Sequence, residues 1–277
     1  MTNPTGGLNP ETYEPAVAPV EQTYTPEAEE PLPGRVLFDE LTAQRAKELI
    51  ARYPQARSAL LPMLHLVQSV QGYVSQDGIK FCAEQLDLAT AEVSAVATFY
   101  TMYKRRPGGE HLVSVCTNTL CAALGGDDIY KSVCEKLGSA DGNGRATPLK
   151  HEQTVGEPGS KGSITVEHAE CLAACDLAPV LQVNYEYYDK QTPQSAVELV
   201  EALRRGEKPN PTRGAPLTDW RTVELEIAGF HADLATSVEG VSAAEETLVG
   251  ARLAETSGWA GPAKPERAEL PDAPEKK

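Results

Sequence analysis

The sequence lacks a hydrophobic run long enough to cross a membrane. A transmembrane helix needs about 18 or more apolar residues in succession, and the most apolar stretch, ALLPMLHLV at 59–67, is interrupted by Pro62 and His65. Residues 1–34 also lack the basic start and apolar core of a secretory signal peptide. We therefore expect no membrane span and a reducing compartment, in which disulfide bonds are rare.

Basic residues are scarce relative to acidic ones. The chain has 25 Lys and Arg against 40 Asp and Glu, a formal net charge of −15 at pH 7. Residues 1–34 hold six glutamates and no Lys or Arg, and residues 206–277 hold thirteen acidic residues against eight basic ones. Because nucleic-acid binding needs a basic face, this composition argues against nucleic acid as a partner.

A nucleotide-binding glycine loop is also missing, since no G-x-G-x-x-G follows a predicted strand. Such loops let backbone N–H groups approach phosphate groups closely. The chain is therefore not expected to bind a dinucleotide by itself. No nucleophile paired with a base is readable near its cysteines, so we also expect no independent catalytic site.

Proline content and charge divide the chain into four predicted segments. Residues 1–34 hold seven prolines and few apolar side chains, so we expect a disordered or partner-bound acidic tail. Residues 35–105 show helical periodicity and predict a small helical bundle. Residues 106–205 predict a mixed sheet with helices, and residues 206–277 form an acidic C-terminal extension. Together these segments predict an α+β fold.

Local signals set the limits of the predicted bundle helices. The first stops at Pro54, the second covers about 57–71, and Ser75 and Thr90 are placed to cap the third and fourth. His65 lies among apolar residues of the second helix. We expect it to be a hydrogen-bonded histidine of the bundle rather than a metal ligand.

The second domain is predicted as strand, helix, long loop, two strands and a final helix. The corresponding ranges are 111–116, 126–137, 138–162, 163–168, 179–188 and 193–205. The C-terminal extension has two stretches of helical pattern, 223–235 and 241–255, and three large apolar residues, Trp220, Phe230 and Trp259. Such anchors are typical of a segment that docks on a partner or on its own domain, and both options stay open.

Four of the six cysteines occur in two close pairs. Cys116 and Cys121 form a C-x4-C pair, and Cys171 and Cys175 form a C-x3-C pair. Each pair follows a predicted strand, so two loops at the ends of neighbouring strands can bring four sulfurs to one edge of the sheet. Thiolates are the usual ligands of iron-sulfur clusters, and a 2Fe-2S cluster held only by cysteine needs four. The pattern favours such a cluster and an electron carrier.

Three other uses of these cysteines compete with a cluster. Structural zinc sites have ligand spacings of about two to four residues, so a zinc-stapled interaction module without a redox role stays open. Disulfide bonds need an oxidising compartment, and a dithiol redox site would show C-x-x-C, which is absent. The remaining cysteines, Cys82 and Cys134, lie in helical patterns and are expected to fill the core.

The chain resembles a known family over about 50–205. YPQARSALLPMLHLVQSVQGYVS, VSAVATFYTMY, the C-x4-C pair, and ECLAAC followed by APVLQVN look like the small 2Fe-2S subunit of NADH-quinone oxidoreductase, respiratory complex I. The resemblance implies a small helical bundle followed by a thioredoxin-like 2Fe-2S ferredoxin domain, with ligands at Cys116, Cys121, Cys171 and Cys175. The family commonly has glycine in the middle of the second pair, where this chain has Ala173.

The resemblance also implies a function. The chain would be an electron-transfer subunit whose one 2Fe-2S cluster exchanges an electron with the flavin of an adjacent subunit, which binds FMN and NADH. A neighbouring iron-sulfur subunit would be a second partner, in the peripheral arm of a complex at the cytoplasmic face of the inner membrane. The equivalent diaphorase subunit of an NAD-linked hydrogenase or formate dehydrogenase is the alternative with the same chemistry.

Overall fold

Four α-helices open the part of the chain that the computed structural model describes, namely residues 38–140, 146–231 and 242–261. They are α1 (Glu40–Ala51), α2 (Leu60–Gln71), α3 (Gln76–Leu86) and α4 (Thr90–Phe99). Ser75 caps α3 as predicted, because its side chain accepts the backbone N–H of Gly78. The predicted cap at Thr90 is wrong: α4 starts from Ala89, whose N–H is accepted by the Glu92 side chain. The predicted tail, 1–34, lies outside the described residues.

The helices bury one continuous apolar core. It is built largely from α2, which is buried along most of its length, as expected for a helix surrounded by others. Its largest fully buried side chains are Leu49, Met63, Leu64, Leu66 and Ile79. At the end of α2, Gly72 adopts a left-handed conformation with φ of 80°, which glycine reaches without strain.

The second part of the described chain is a five-stranded mixed sheet in the order β4-β5-β1-β6-β7. Its strands are β1 (His111–Cys116), β4 (Gln153–Val155), β5 (Ile164–Ala169), β6 (Leu181–Val183) and β7 (Glu186–Tyr188). Strands β1 and β5 are parallel, and the other pairings are antiparallel. Two helices, α6 (Gly126–Leu137) and α7 (Pro193–Arg204), pack together and close one buried core with the sheet. This is the predicted α+β architecture.

Two sequence predictions for this sheet are wrong in detail. The single strand predicted at 179–188 is a hairpin, because Asn184 and Tyr185 both have positive φ, 49° and 69°, and turn the chain between β6 and β7. The loop predicted at 138–162 contains β4 and a separate two-stranded ladder. The strands of that ladder are β2 (Ser139–Ala140) and β3 (Ala146–Thr147).

A buried ion pair joins the bundle to the sheet. Lys104 follows α4, and its ammonium contacts the Glu167 carboxylate on β5 and lies 3.4 Å from Glu152 Oε1. The Ser114 hydroxyl on β1 donates to Glu167 Oε1 at 2.7 Å. A cleft of about 560 Å³ lies beside these groups and reaches Cys171. The bundle is therefore fixed against the sheet face that leads to the second cysteine pair.

The C-terminal extension docks on its own chain. Helix α8 (Trp220–Ile227) packs along α2. The Trp220 side chain is buried, with its indole Nε1 donating to the Gly72 carbonyl at 3.0 Å. His65 Nδ1 lies 2.6 Å from Glu224 Oε2, and both side chains are buried. His65 is thus a hydrogen-bonded histidine of the bundle, as predicted. Phe230 receives the guanidinium of Arg52 over its ring at 5.0 Å.

A last helix, α9 (Glu245–Thr256), follows the undescribed residues 232–241. It has no buried residue, and Trp259 beyond it is 67% exposed. Both helices predicted in the extension are therefore present in part, displaced by a few residues. Among the residues described, no helix is long and apolar enough to span a membrane.

Candidate metal centre

The first cysteine pair stands where β1 turns into helix. Cys116 is the last residue of β1, and Cys121 lies in a short helix, α5 (Thr119–Ala123). Both cysteines are 2% exposed. The start of α6 packs directly on this turn, because a Cβ on Gly126 would stand 2.5 Å from the Cys116 carbonyl oxygen. The sequence predicted the turn but not α5, which is too short to show helical periodicity.

The second pair lies on the loop after β5. Cys171 and Cys175 are both exposed, and their sulfurs are 3.6 Å apart. Cys175 starts a short 3-10 helix, Cys175–Leu177. The strongest causes that raise the Cys175 pKa are the hydrogen bond and the charge of Cys171. These two thiols therefore act on each other, as two ligands of one centre would.

The two pairs meet at one edge of the sheet, as predicted from the sequence. Parallel pairing places Cys116 beside Ala169, and the N–H of Thr117 donates to the Ala169 carbonyl at 3.0 Å. Burial raises the pKa of Cys121 to about 11, and the Cys116 and Cys175 thiols raise it further. One thiol of the buried pair is thus under the influence of the exposed pair.

The donor set fits a 2Fe-2S cluster. Within residues 38–140, 146–231 and 242–261, no three His, Cys, Asp or Glu side chains are grouped to hold a single metal ion. A 2Fe-2S cluster draws two thiolates to each iron, and two thiolates about 2.3 Å from one metal ion lie about 3.8 Å apart in a tetrahedron. The Cys171 to Cys175 separation suits that requirement. The Val180 backbone also hydrogen-bonds the Cys121 sulfur, which lowers the pKa of that thiol.

A tyrosine braces the second loop. The Tyr187 hydroxyl on β7 donates to the Leu172 carbonyl at 2.6 Å, and the Arg213 guanidinium covers its ring at 4.0 Å. Arg213 is held in turn by a salt bridge to Asp189. This brace could not be predicted from the sequence, because nothing in the local pattern links Tyr187 to a loop that is fifteen residues away in the chain.

The centre of the second loop is strained. Ala173 has φ of 59°, in the left-handed region where the Cβ of a residue other than glycine is crowded. Ala174, its buried neighbour, has an ordinary φ of −118°. The departure from the glycine of the resembling family therefore has a conformational cost.

Replacing Ala173 with glycine is expected to raise the free energy of unfolding by about 1 kcal/mol, because a left-handed residue with a Cβ costs about 1–2 kcal/mol. Urea unfolding of the full chain measures this change. Ala174→Gly is the matched control and should destabilise, since it removes a buried methyl group and relieves no strain. A loss of stability in Ala173→Gly would contradict the strain.

The other two cysteines are away from this centre. Cys82 is fully buried in the bundle core, and burial raises its pKa to about 12. Cys134 is buried in the core between α6 and the sheet, and burial also raises its pKa. Both are core residues, as predicted.

Comparison with known proteins gives a consistent family. The family described as thioredoxin-like 2Fe-2S ferredoxin matches residues 46–204. A subunit of NADH-quinone oxidoreductase from Mycobacterium bovis, the one designated E, is 49% identical over 220 residues, which cover 79% of this chain and 81% of the relative. The protein of the same name from Rickettsia bellii is 35% identical over 170 residues, which cover 60% of this chain and 93% of the relative.

A solved structure also resembles this chain. It is a chain of an NAD+-reducing NiFe-hydrogenase in its H2-reduced state, with a TM-score of 0.42 and 14% sequence identity. The likeness covers 52% of this chain and 22% of the hydrogenase chain, so this chain spans less than a quarter of that protein.

Proposed function

Because this chain belongs to the thioredoxin-like 2Fe-2S ferredoxin family, and there to the group of NADH-quinone oxidoreductase subunits, we propose that it is an electron-transfer subunit of such a complex. Its ligands for one 2Fe-2S cluster are Cys116, Cys121, Cys171 and Cys175. The observation that carries this proposal is the meeting of a buried and an exposed cysteine pair at one sheet edge, with two sulfurs 3.6 Å apart.

The two pairs have different tasks. Cys116 and Cys121 are almost inaccessible, so they keep water from one side of the centre. Cys171 and Cys175 face the surface, where a partner can come close. When bound, the cluster supplies one-electron transfer at a potential set by charge, hydrogen bonds to sulfur and exposure. The Val180 backbone bond to the Cys121 sulfur favours its thiolate.

The partner in this proposal is the subunit that binds FMN and NADH. The chain itself contributes no nucleotide site that its sequence reveals, so the flavin has to lie on the neighbour, at the exposed cysteine edge. A neighbouring iron-sulfur subunit is the second proposed contact. The proposed place of the whole assembly is the peripheral arm at the cytoplasmic face of the membrane.

The exchange with flavin can be tested with pre-reduced chain. The full chain, reduced with dithionite and freed of excess reductant, is mixed with the oxidised flavin-binding subunit and frozen at short times for electron paramagnetic resonance. We expect the signal of the reduced chain to disappear as flavin is reduced, whereas mixing with buffer should preserve it. A signal that persists equally in both mixtures would exclude electron exchange with this partner.

A further inference from the structure

The first turn of α9 contacts the loop of the second cysteine pair. The Thr247 hydroxyl donates to the Asp176 carboxylate, which directly follows Cys175. Lys190 forms an ion pair with Glu246, and its backbone N–H donates to the Leu177 carbonyl at 2.9 Å. Neighbouring Ala244 packs against the buried residues around Cys116 and Cys121. One end of the helix is therefore attached to the metal centre.

Burial of an apolar face does not explain why the helix lies there. No residue of α9 is buried, and Val249 and Leu253 are exposed. The helix ends with a Schellman motif, in which the N–H of Trp259 donates to the Ala254 carbonyl at 2.9 Å. Its first turn therefore holds the polar contacts to the cysteine loop, and its far end satisfies its own backbone.

Asp176 gives those contacts an electrostatic meaning. Its carboxylate is among the groups that raise the pKa of Cys175, after the larger effects of Cys171, burial and Cys116. It therefore opposes additional negative charge at that sulfur. A hydrogen bond from a hydroxyl offsets part of the charge of a carboxylate, and Thr247 provides this bond.

We propose that Thr247 is a positioning residue for the redox centre, which acts through Asp176 to raise the midpoint potential of the cluster. The inference rests on the proposed function. Reduction adds negative charge to an already anionic cluster, so a nearby carboxylate disfavours it and a donor that holds this carboxylate favours it. The C-terminal extension thereby adjusts the ease of reduction of a cluster to which it contributes no ligand.

The test is a redox titration of the anaerobically purified full chain, followed by electron paramagnetic resonance. Thr247→Val keeps the side-chain shape but removes the donor, so its midpoint potential should fall below that of the parent chain. Thr247→Ser should restore the parent value. Asp176→Asn should raise the potential, and adding Thr247→Val to Asp176→Asn should cause little further change, because the charge through which Thr247 acts is gone.

A matched control lies on the same helix. The Thr256 hydroxyl donates only within α9, to the Arg252 carbonyl at 2.9 Å and the Leu253 carbonyl at 3.1 Å. Thr256→Val should therefore leave the potential unchanged. If Thr247→Val does not load a cluster, Thr247→Ala takes its place in the cycle.

The outcomes separate the inference from the proposed function. An unchanged potential in the Thr247 variant, or an equal fall with and without Asp176→Asn, would overturn the inference while leaving the proposed function intact. Absence of any 2Fe-2S signal in the parent chain would instead overturn the proposed function.

Discussion

Replacing Cys171 with alanine is expected to abolish or distort the 2Fe-2S spectrum and to destabilise the sheet domain. Cys171 is one of two exposed thiols whose sulfurs lie 3.6 Å apart, so its loss leaves Cys175 without its partner. Binding of a metal centre also stabilises the fold that holds it, and that contribution is lost with the cluster. Iron content and visible absorption of the anaerobically purified variant measure the effect.

Cys82→Ala is the matched control for this prediction. Cys82 is buried in the bundle core, so its loss should cost only packing energy, about 1–3 kcal/mol, and leave the spectrum intact. An unchanged spectrum in Cys171→Ala would remove this residue from the ligand set. Loss of the spectrum in Cys82→Ala would mean that the wrong four cysteines are assigned.

Trp220→Ala is expected to lower the free energy of unfolding by about 3–5 kcal/mol, the usual cost of deleting a large buried aromatic side chain. Trp220 is 2% exposed, and its indole donates to the Gly72 carbonyl at the end of α2. Its backbone N–H also donates to the Glu110 carbonyl at 2.9 Å, just before β1. The residue thus ties the extension to both the bundle and the sheet.

The second tryptophan of the chain provides the comparison. Trp259 is 67% exposed, so Trp259→Ala should change stability by no more than about 0.5 kcal/mol. Urea unfolding of the two variants beside the parent chain measures both values. Equal stabilities of Trp220→Ala and Trp259→Ala would contradict the docking of α8 on the bundle.

The sequence predicted the cysteine pairs, their strands and their meeting point because these depend on local patterns. An apolar run that ends in a loop-forming sequence indicates a strand and its end, and parallel strands end at a common edge. The same reasoning located the first three bundle helices, which have strong apolar stripes and clear stop signals at Pro54 and Gly72.

The turn between β6 and β7 could not be predicted in the same way. Alternation through Leu181, Val183 and Tyr185 suggested one strand, since tyrosine favours strands and rarely adopts positive φ. Tertiary contacts override that preference at Asn184, whose side chain accepts the Leu112 N–H at 2.7 Å and donates to the Thr218 carbonyl at 2.7 Å. Both partners are remote in sequence.

The residues that support the metal centre were missed for the same reason. Tyr187 reaches the Leu172 carbonyl across the sheet edge, and Thr247 reaches Asp176 from the C-terminal extension. Asp39 and Ser75 were easier to interpret as helix caps, since each acts on a residue three positions away. Contacts at long sequence separation leave no periodic trace, so only the folded chain reveals them.

Whether the four paired cysteines hold a 2Fe-2S cluster is decided by an absorption and electron paramagnetic resonance spectrum of anaerobically purified protein, before and after dithionite. Iron and zinc are measured on the same sample. We predict two irons per chain, visible bands that bleach on reduction, and an S = 1/2 signal that appears with the bleaching. A colourless protein without a signal, holding one zinc ion on its four paired cysteines, would contradict the cluster and indicate a structural interaction module.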